Sequence, residues 1–278
     1  MSSLDAKSLP AGAFRSEIRR QQVPVFFWRA FQALLVKEMK RVWKMAAMII
    51  IAPALMAVIY FVCFLFGLGP QRGTPEGDAV LTFLVPGLIM LSILLRAAEN
   101  TGFSLLYAKI EGHVLDQLMA PIGAREAVLV YAVTGTVAGF VSGLFVWLGS
   151  LLLWPQSVAH PLVALGFAVL AGFLMSMCGL LTGLASTKWD HMAAYFTFLF
   201  TPLSFLSGVF APLTGMPPLF AAIVQANPIF YAMDGFRYGM VGQGHADPAV
   251  AALIVLSACA LLYALSARLY SIGWHMKS

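Results

Sequence analysis

The sequence predicts an all-α integral membrane protein. It reads as six transmembrane helices, preceded by an amphipathic interface helix, with short re-entrant helices between spans five and six. Three observations carry this. Of 278 residues, 60% are apolar and 10% charged, where a soluble domain carries about 25% charged. Mean hydropathy is +0.86. Several uncharged runs are longer than the roughly 18 residues that mark a helical span, whereas a β-barrel would show alternating segments of about ten.

Residues 1–24 mix small and charged types and are expected to form a flexible cytoplasmic tail. Met1 to Lys44 is long and charged and has no short apolar core followed by a cleavage site, unlike a signal peptide. Within 25–44, Phe27, Phe31, Leu34, Leu35, Met39 and Val42 recur near helical spacing, and Arg29, Lys37, Lys40, Arg41 and Lys44 cluster opposite. That pattern suits a helix lying in the cytoplasmic interface, with lysines reaching anionic headgroups and aromatics below them. A plain basic flank to the first span would look similar.

Residues 45–278 are expected to form one six-span domain, with spans at 45–68, 79–106, 127–154, 161–187, 192–211 and 249–267. Loop charges orient it. Nine of the 17 Lys and Arg precede residue 45, and Lys109, Arg125, Lys188, Arg268 and Lys277 fall on the same side of this topology. Only Arg72 and Arg237 fall on the other, so both termini are placed in the cytoplasm. Basic residues that flank a span argue against nucleic-acid binding. Cys63, Cys178 and Cys259 each lie in an apolar run and read as packing residues.

Three further features stand out. The loop "YAKIEGHVLDQLMAPIGAREAV", 107–128, is the one sizeable polar segment between spans on the inside. Gly112 and Pro121 bracket a possible two-turn helix with Val114, Leu115, Leu118 and Met119 as its apolar side. It suits docking into a partner's groove, or folding back on the membrane as an ordinary loop. In span two, Arg96 and Glu99 are three apart and share a helix face. They are either a polar element at the cytoplasmic mouth of a pathway or a pair snorkelling to that interface.

The third feature is "PPLFAAIVQANPIFYAMDGFRYG", 217–239, near the end of a 43-residue uncharged run from His191 to Met233. "LFAAIVQA" is too short to cross, and Asn227-Pro228 stops it. Tyr231, Phe236 and Tyr238 supply interfacial aromatics. Pro218, Asn227, Pro228, Tyr231, Asp234 and Arg237 then mark a re-entrant pair at the outer leaflet, with Asp234 and Arg237 where it meets water or a polar pocket. An amphipathic loop that merely caps the bundle is the other reading.

No phosphate-binding G-x-x-x-x-G-K-S/T, no H-E-x-x-H and no C-x-x-C occurs, so this chain itself is expected to bind neither ATP nor a metal. An ion-coupled carrier would need titratable residues at mid-membrane and often an inverted repeat. Neither is seen, while a non-transporting scaffold subunit stays compatible with hydropathy.

Three segments together resemble the permeases of type-2 ABC exporters, in the drug, polysaccharide and nodulation-factor branch. They are "KIEGHVLDQLMAPIGAREAVLVY", "KWDHMAAYFTFLFTPLSFLSGVFAP" and "MPPLFAAIVQANPIFYAMDGFRYG". The similarity runs from about residue 28 to the C-terminus, with Met216 where relatives often carry Leu before the prolines. The resemblance implies a bacterial inner-membrane permease working as a dimer of two copies. Each copy would dock a separate ATP-binding-cassette subunit, which holds the ATP and magnesium, through Glu111, Gly112, His113, Val114, Leu115, Asp116, Leu118 and Met119. It also implies outward movement of an amphipathic, lipid-linked or drug-like cargo between the two permeases, under an outer cap formed by Pro218 to Arg237.

Overall fold

The computed structural model describes residues 28–47, 51–67, 74–114, 122–209 and 217–276, apart from the side chains of residues 53, 54 and 76. The expected tail at 1–24 lies outside the described residues. Those that are described form helices: α1 Trp28–Lys44, α2 Ala52–Gly67, α3 Pro75–Ile110, α4 Ala124–Leu153 and α5 Pro161–Ala185. They continue as α6 Trp189–Val209, α7 Pro218–Ala226, α8 Pro228–Val241 and α9 Pro248–Ser271.

Among the described residues, five helices are long and apolar enough to cross a membrane, namely α4, α5, α6, α9 and the Gly77–Ile110 part of α3. The sixth expected span, 45–68, is described only in part, because 48–50 and 68 lie outside the described residues. Its described helix, α2, has 16 residues, about 24 Å of rise against a hydrocarbon core of about 30 Å. A turn at Met45 separates it from α1.

Helix α3 is the longest element, with 36 residues, about 54 Å. It overruns the expected 79–106 at both ends. Thr74 caps its start, Oγ1 accepting from the Gly77 N–H at 3.2 Å, and Pro75 follows at a position that needs no donor. Gly112, at φ 76°, turns the chain just beyond its end.

The bundle is built around α3, which packs along both α4 and α5. The approach is close enough to exclude side chains. A Cβ at Gly179 would overlap the Ala98 carbonyl, and one at Gly139 would lie 2.6 Å from the Ile93 carbonyl oxygen. Small residues let membrane helices approach this way, and hydrogen bonds across helices add to it. Ser92 and Ser142 meet at 2.7 Å, and Thr101 Oγ1 donates to the Tyr131 carbonyl at 3.2 Å. Helices α8 and α9 pack on α5, and α1 lies against α4.

Helix α6 is irregular. Its ladder widens at Thr201, whose N–H and Oγ1 both reach the Phe196 carbonyl, the hydroxyl at 2.7 Å. Pro202 follows and has no N–H to give, so a local i→i+5 turn absorbs the missing bond. Gly208 then turns left-handed at φ 78° and ends the helix ahead of the prolines expected to break it.

The helices define two ends. The C-termini of α3, α5 and α9 share one end with α1 and carry most of the bundle's Lys and Arg; α7, α8 and the loop Trp154–His160 lie at the other. They are called the basic end and the far end below.

Replacing Gly179 with Val is expected to push α3 off α5 at an overpacking cost of about 1–3 kcal/mol or more. Fluorescence-detected size exclusion should show loss of the monodisperse peak. Gly166→Ala, where nothing lies within 4 Å of the added carbon, should keep it. Equal behaviour of the two variants would contradict the packing described.

Candidate functional site

At the basic end, α1 is fastened to α3 by polar side chains. Phe31, Leu34 and Val42 bury its apolar face, and Glu38 sits among them at 3% exposure. A buried carboxylate is costly unless its oxygens are paired. Ser104 Oγ donates to Glu38 Oε2 at 2.6 Å and Arg41 Nε at 3.0 Å. Arg41 Nη2 continues to the Asn100 carbonyl at 3.2 Å and to its Oδ1 at 3.1 Å. Sequence reasoning missed Glu38. The signal was there: it is the sole acid in α1 and keeps helical spacing with Phe31, Leu34 and Val42.

Lys109 closes the end of α5, its Nζ donating to the carbonyls of Gly183, Leu184 and Ser186 at 3.2, 2.8 and 2.5 Å. A cation over the last carbonyls of a helix meets both their lone pairs and the helix dipole. Two residues further on begins the segment expected to dock a partner. Glu111, Gly112 and His113 are exposed, while Val114 is buried in the same apolar cluster as Phe31, Leu34 and Leu105. Val114 was expected on an apolar side offered to a partner. Instead the left-handed turn at Gly112 returns the chain so that Val114 anchors it to its own bundle. Leu115, Asp116, Leu118 and Met119 lie outside the described residues.

Arg96 and Glu99 form an ion pair on α3, both half-buried. They lie level with Gly179, whose space is closed by Ala98, and so toward the basic end of α5. Their neighbours across the adjoining cleft are Asn100, Phe103, Tyr107 and Trp189.

At the far end, one side chain makes the corner between α7 and α8. Asn227 Oδ1 accepts from the Ile229 N–H at 3.0 Å, capping α8, while its Nδ2 donates to the Leu203 carbonyl of α6 at 3.1 Å. Pro218 and Pro228 each open a helix. Neither helix is long enough to cross a membrane: nine residues for α7 and 14 for α8 give about 14 and 21 Å.

Asp234 and Arg237 are buried, at 1% and 8% exposure. Of the two surroundings expected for them, they occupy a polar pocket made by the protein's own backbone, and not open water. Asp234 accepts from the His245 N–H at 2.9 Å and the Ala246 N–H at 2.8 Å, tying the loop after α8 back onto it. Arg237 Nη2 donates to the Gly208 carbonyl at 2.8 Å, and its guanidinium lies 3.7 Å from the centre of the Phe83 ring on α3. That carbonyl is free to accept because the turn at Gly208 ends the α6 ladder. Gly87 of α3 packs against the Val209 carbonyl one residue on. Arg237 and Asn227 thus converge on α6 from one side and α3 closes the other. Tyr231 is half-buried, edge-on to Phe230 at 5.3 Å, and Pro218 is exposed at the rim.

A membrane bundle with a polar latch at one end, a pair of short helices braced at the other and one long helix between them defines a class. Residues 29–241 match the ABC-2 type transporter family, and the chain belongs to it. It is a transmembrane ABC permease subunit. Over 216 residues it is 32% identical to the inner membrane transport permease YadH of Escherichia coli K12, covering 78% of this chain and 84% of that one. The YadH of Shigella flexneri matches to the same extent.

Asp234→Ala removes the carboxylate that holds the loop N–H groups of exposed His245 and half-buried Ala246, and is expected to lower unfolding stability by about 1.5 kcal/mol. Thermal melts of the detergent-solubilised chain should fall; an unchanged melt would contradict the bracing role. Arg96→Glu should destabilise the chain, and exchanging both charges, Arg96→Glu with Glu99→Arg, should recover part of the loss. No recovery would mean that the two side chains act separately.

Proposed function

We propose that this chain is the membrane half of an ATP-driven exporter. Two copies assemble with two copies of a separate ATP-binding-cassette subunit, which holds ATP and magnesium. The assembly lies in the bacterial inner membrane with the basic end and both termini cytoplasmic. The concentration of Lys and Arg at one end supports this orientation. Cargo of amphipathic, lipid-linked or drug-like chemistry moves outward between the copies.

One observation carries the reading: α3 is continuous from the docking segment at Glu111 to the level of Phe83 and Gly87, where the far-end helices are braced. A displacement of the Glu111–Met119 segment by the cassette is therefore delivered to α3 at one end and to Arg237 and Val209 at the other. The Glu38–Ser104 and Arg41–Asn100 bonds make α1 follow the same movement. Coupling of this kind needs two packings of the bundle that ATP favours unequally. Helices α7 and α8 form a re-entrant cap at the outer leaflet, its exposed backbone shielded by α3, α5 and α6. Arg96 and Glu99 lie at the cytoplasmic mouth of the path.

Replacing Leu115 to Met119 with a Gly-Ser run of equal length is expected to abolish co-purification of the cassette ATPase and any stimulation of its hydrolysis by the permease. The membrane domain should stay monodisperse. Retention of both binding and stimulation would overturn the docking assignment.

A further inference from the structure

A cleft of about 650 Å³ opens between α1, α3 and α6 at the basic end, within the range of a small-molecule site. Its polar lining is one-sided. Arg41, Lys44, Arg96 and Asn100 bring donors to it, and one carboxylate, Glu99, is already occupied by Arg96. Nε of Arg96 and Nδ2 of Asn100 have no acceptor among the described residues, and both atoms are enclosed, so a ligand in the cleft meets them only when these side chains shift. Asn100 as a residue is 5% exposed, and its other polar atom, Oδ1, is held by Arg41. Buried donors are rarely left without a partner. Phe103 and Tyr107 follow Arg96 and Asn100 along the same face of α3, and Trp189 of α6 stacks on Phe103 at 5.9 Å.

Arg96 also borders a second, apolar groove of about 310 Å³ between α2 and α3, lined by Met56, Tyr60, Leu88, Leu91 and Leu95. Arg96 thus borders both a mainly apolar cleft edged by the cationic side chains of Arg41 and Lys44 and a hydrocarbon-lined groove. A ligand that fits both has an anionic head with several acceptor oxygens and an apolar tail. Arginine and amide donors match phosphate oxygens in geometry as well as charge.

We propose that this cleft binds the phosphate headgroup of an anionic amphipath, with its acyl chain in the groove between α2 and α3. The proposal narrows the cargo class of the exporter reading, and rests on that reading only for whether the amphipath is cargo or a resident bilayer lipid. Binding itself is independent of it.

The test is native mass spectrometry of the full chain with dioleoyl-phosphatidylglycerol or dioleoyl-phosphatidylcholine. Phosphatidylglycerol should bind about tenfold more tightly, the effect of roughly one charge-assisted hydrogen bond. Lys44→Gln should remove most of that preference, Asn100→Leu should weaken both lipids alike because each carries one phosphate, and Arg268→Gln, at the same end but outside the cleft, should leave the preference intact. Equal binding of the two lipids, or an equal loss in Arg268→Gln, would overturn the site; if Asn100→Leu fails to fold, Lys44→Gln decides alone. A second arm uses fluorescent phosphatidylglycerol in proteoliposomes with the cassette subunit. ATP-dependent transfer between leaflets marks cargo, and retained binding without transfer marks a resident lipid; both sustain the headgroup site. If no cassette associates with the chain, the exporter reading falls while the lipid preference still decides the site.

Discussion

The rest of the bundle depends on how closely α3 is held between α4 and α5. Without side chains at Gly179 and Gly139, backbones of neighbouring helices come into direct contact with it. In lipid, where apolar side chains are solvated as well by tails as by each other, such contact is a main source of cohesion. It also means that α3 cannot shift by a small amount without disturbing both neighbours, since packed interfaces have discrete arrangements and do not deform smoothly. A helix held this way carries a displacement along its length, so the features at its two ends are mechanically one system.

Each end is completed by charge taken out of water. At the basic end Glu38 receives Ser104 and Arg41, and Arg41 donates onward to Asn100. At the far end Asp234 gathers two loop amides, and Arg237 takes the Gly208 carbonyl that the end of α6 leaves open. Buried ions of this sort contribute little net stability over apolar packing, but removing one partner is expensive. Their effect is to fix which surfaces meet. Helix α1 is fixed to α3, and the short helices α7 and α8 are fixed to α6.

The architecture was legible in the sequence wherever a strong local signal existed. Hydropathy located five long helices. Asn227-Pro228 located the corner between two short ones, because an Asn cap and a Pro first residue act through neighbouring backbone alone. Spacing put Arg96 and Glu99 on one face, where they meet. The misses share a cause: they depend on what lies across from a residue. Arg237 and Asp234 read as charges meeting either water or a polar pocket, and only α6 and the loop after α8 decide for the pocket. Val114 read as an offered apolar side chain until Phe31 and Leu34 cover it. Glu38 was the exception, visible in the periodicity of α1 as an acid on the apolar side.

The central claim is that α3 moves as a single rod between the docking segment and the far-end brace. Pro86 is where it has least support, since proline removes one bond from the ladder inside the helix. The direct measurement is the distance between spin labels at Val80 and Ile110, exposed positions near its two ends, by pulsed electron resonance on the assembled complex with the three native cysteines replaced. A straight helix separates them by about 45 Å. The account predicts one narrow distance distribution, unchanged between nucleotide-free and ATP-bound states. A shortened or broadened distribution on ATP binding would mean that α3 bends at Pro86, and that the two ends are not one system.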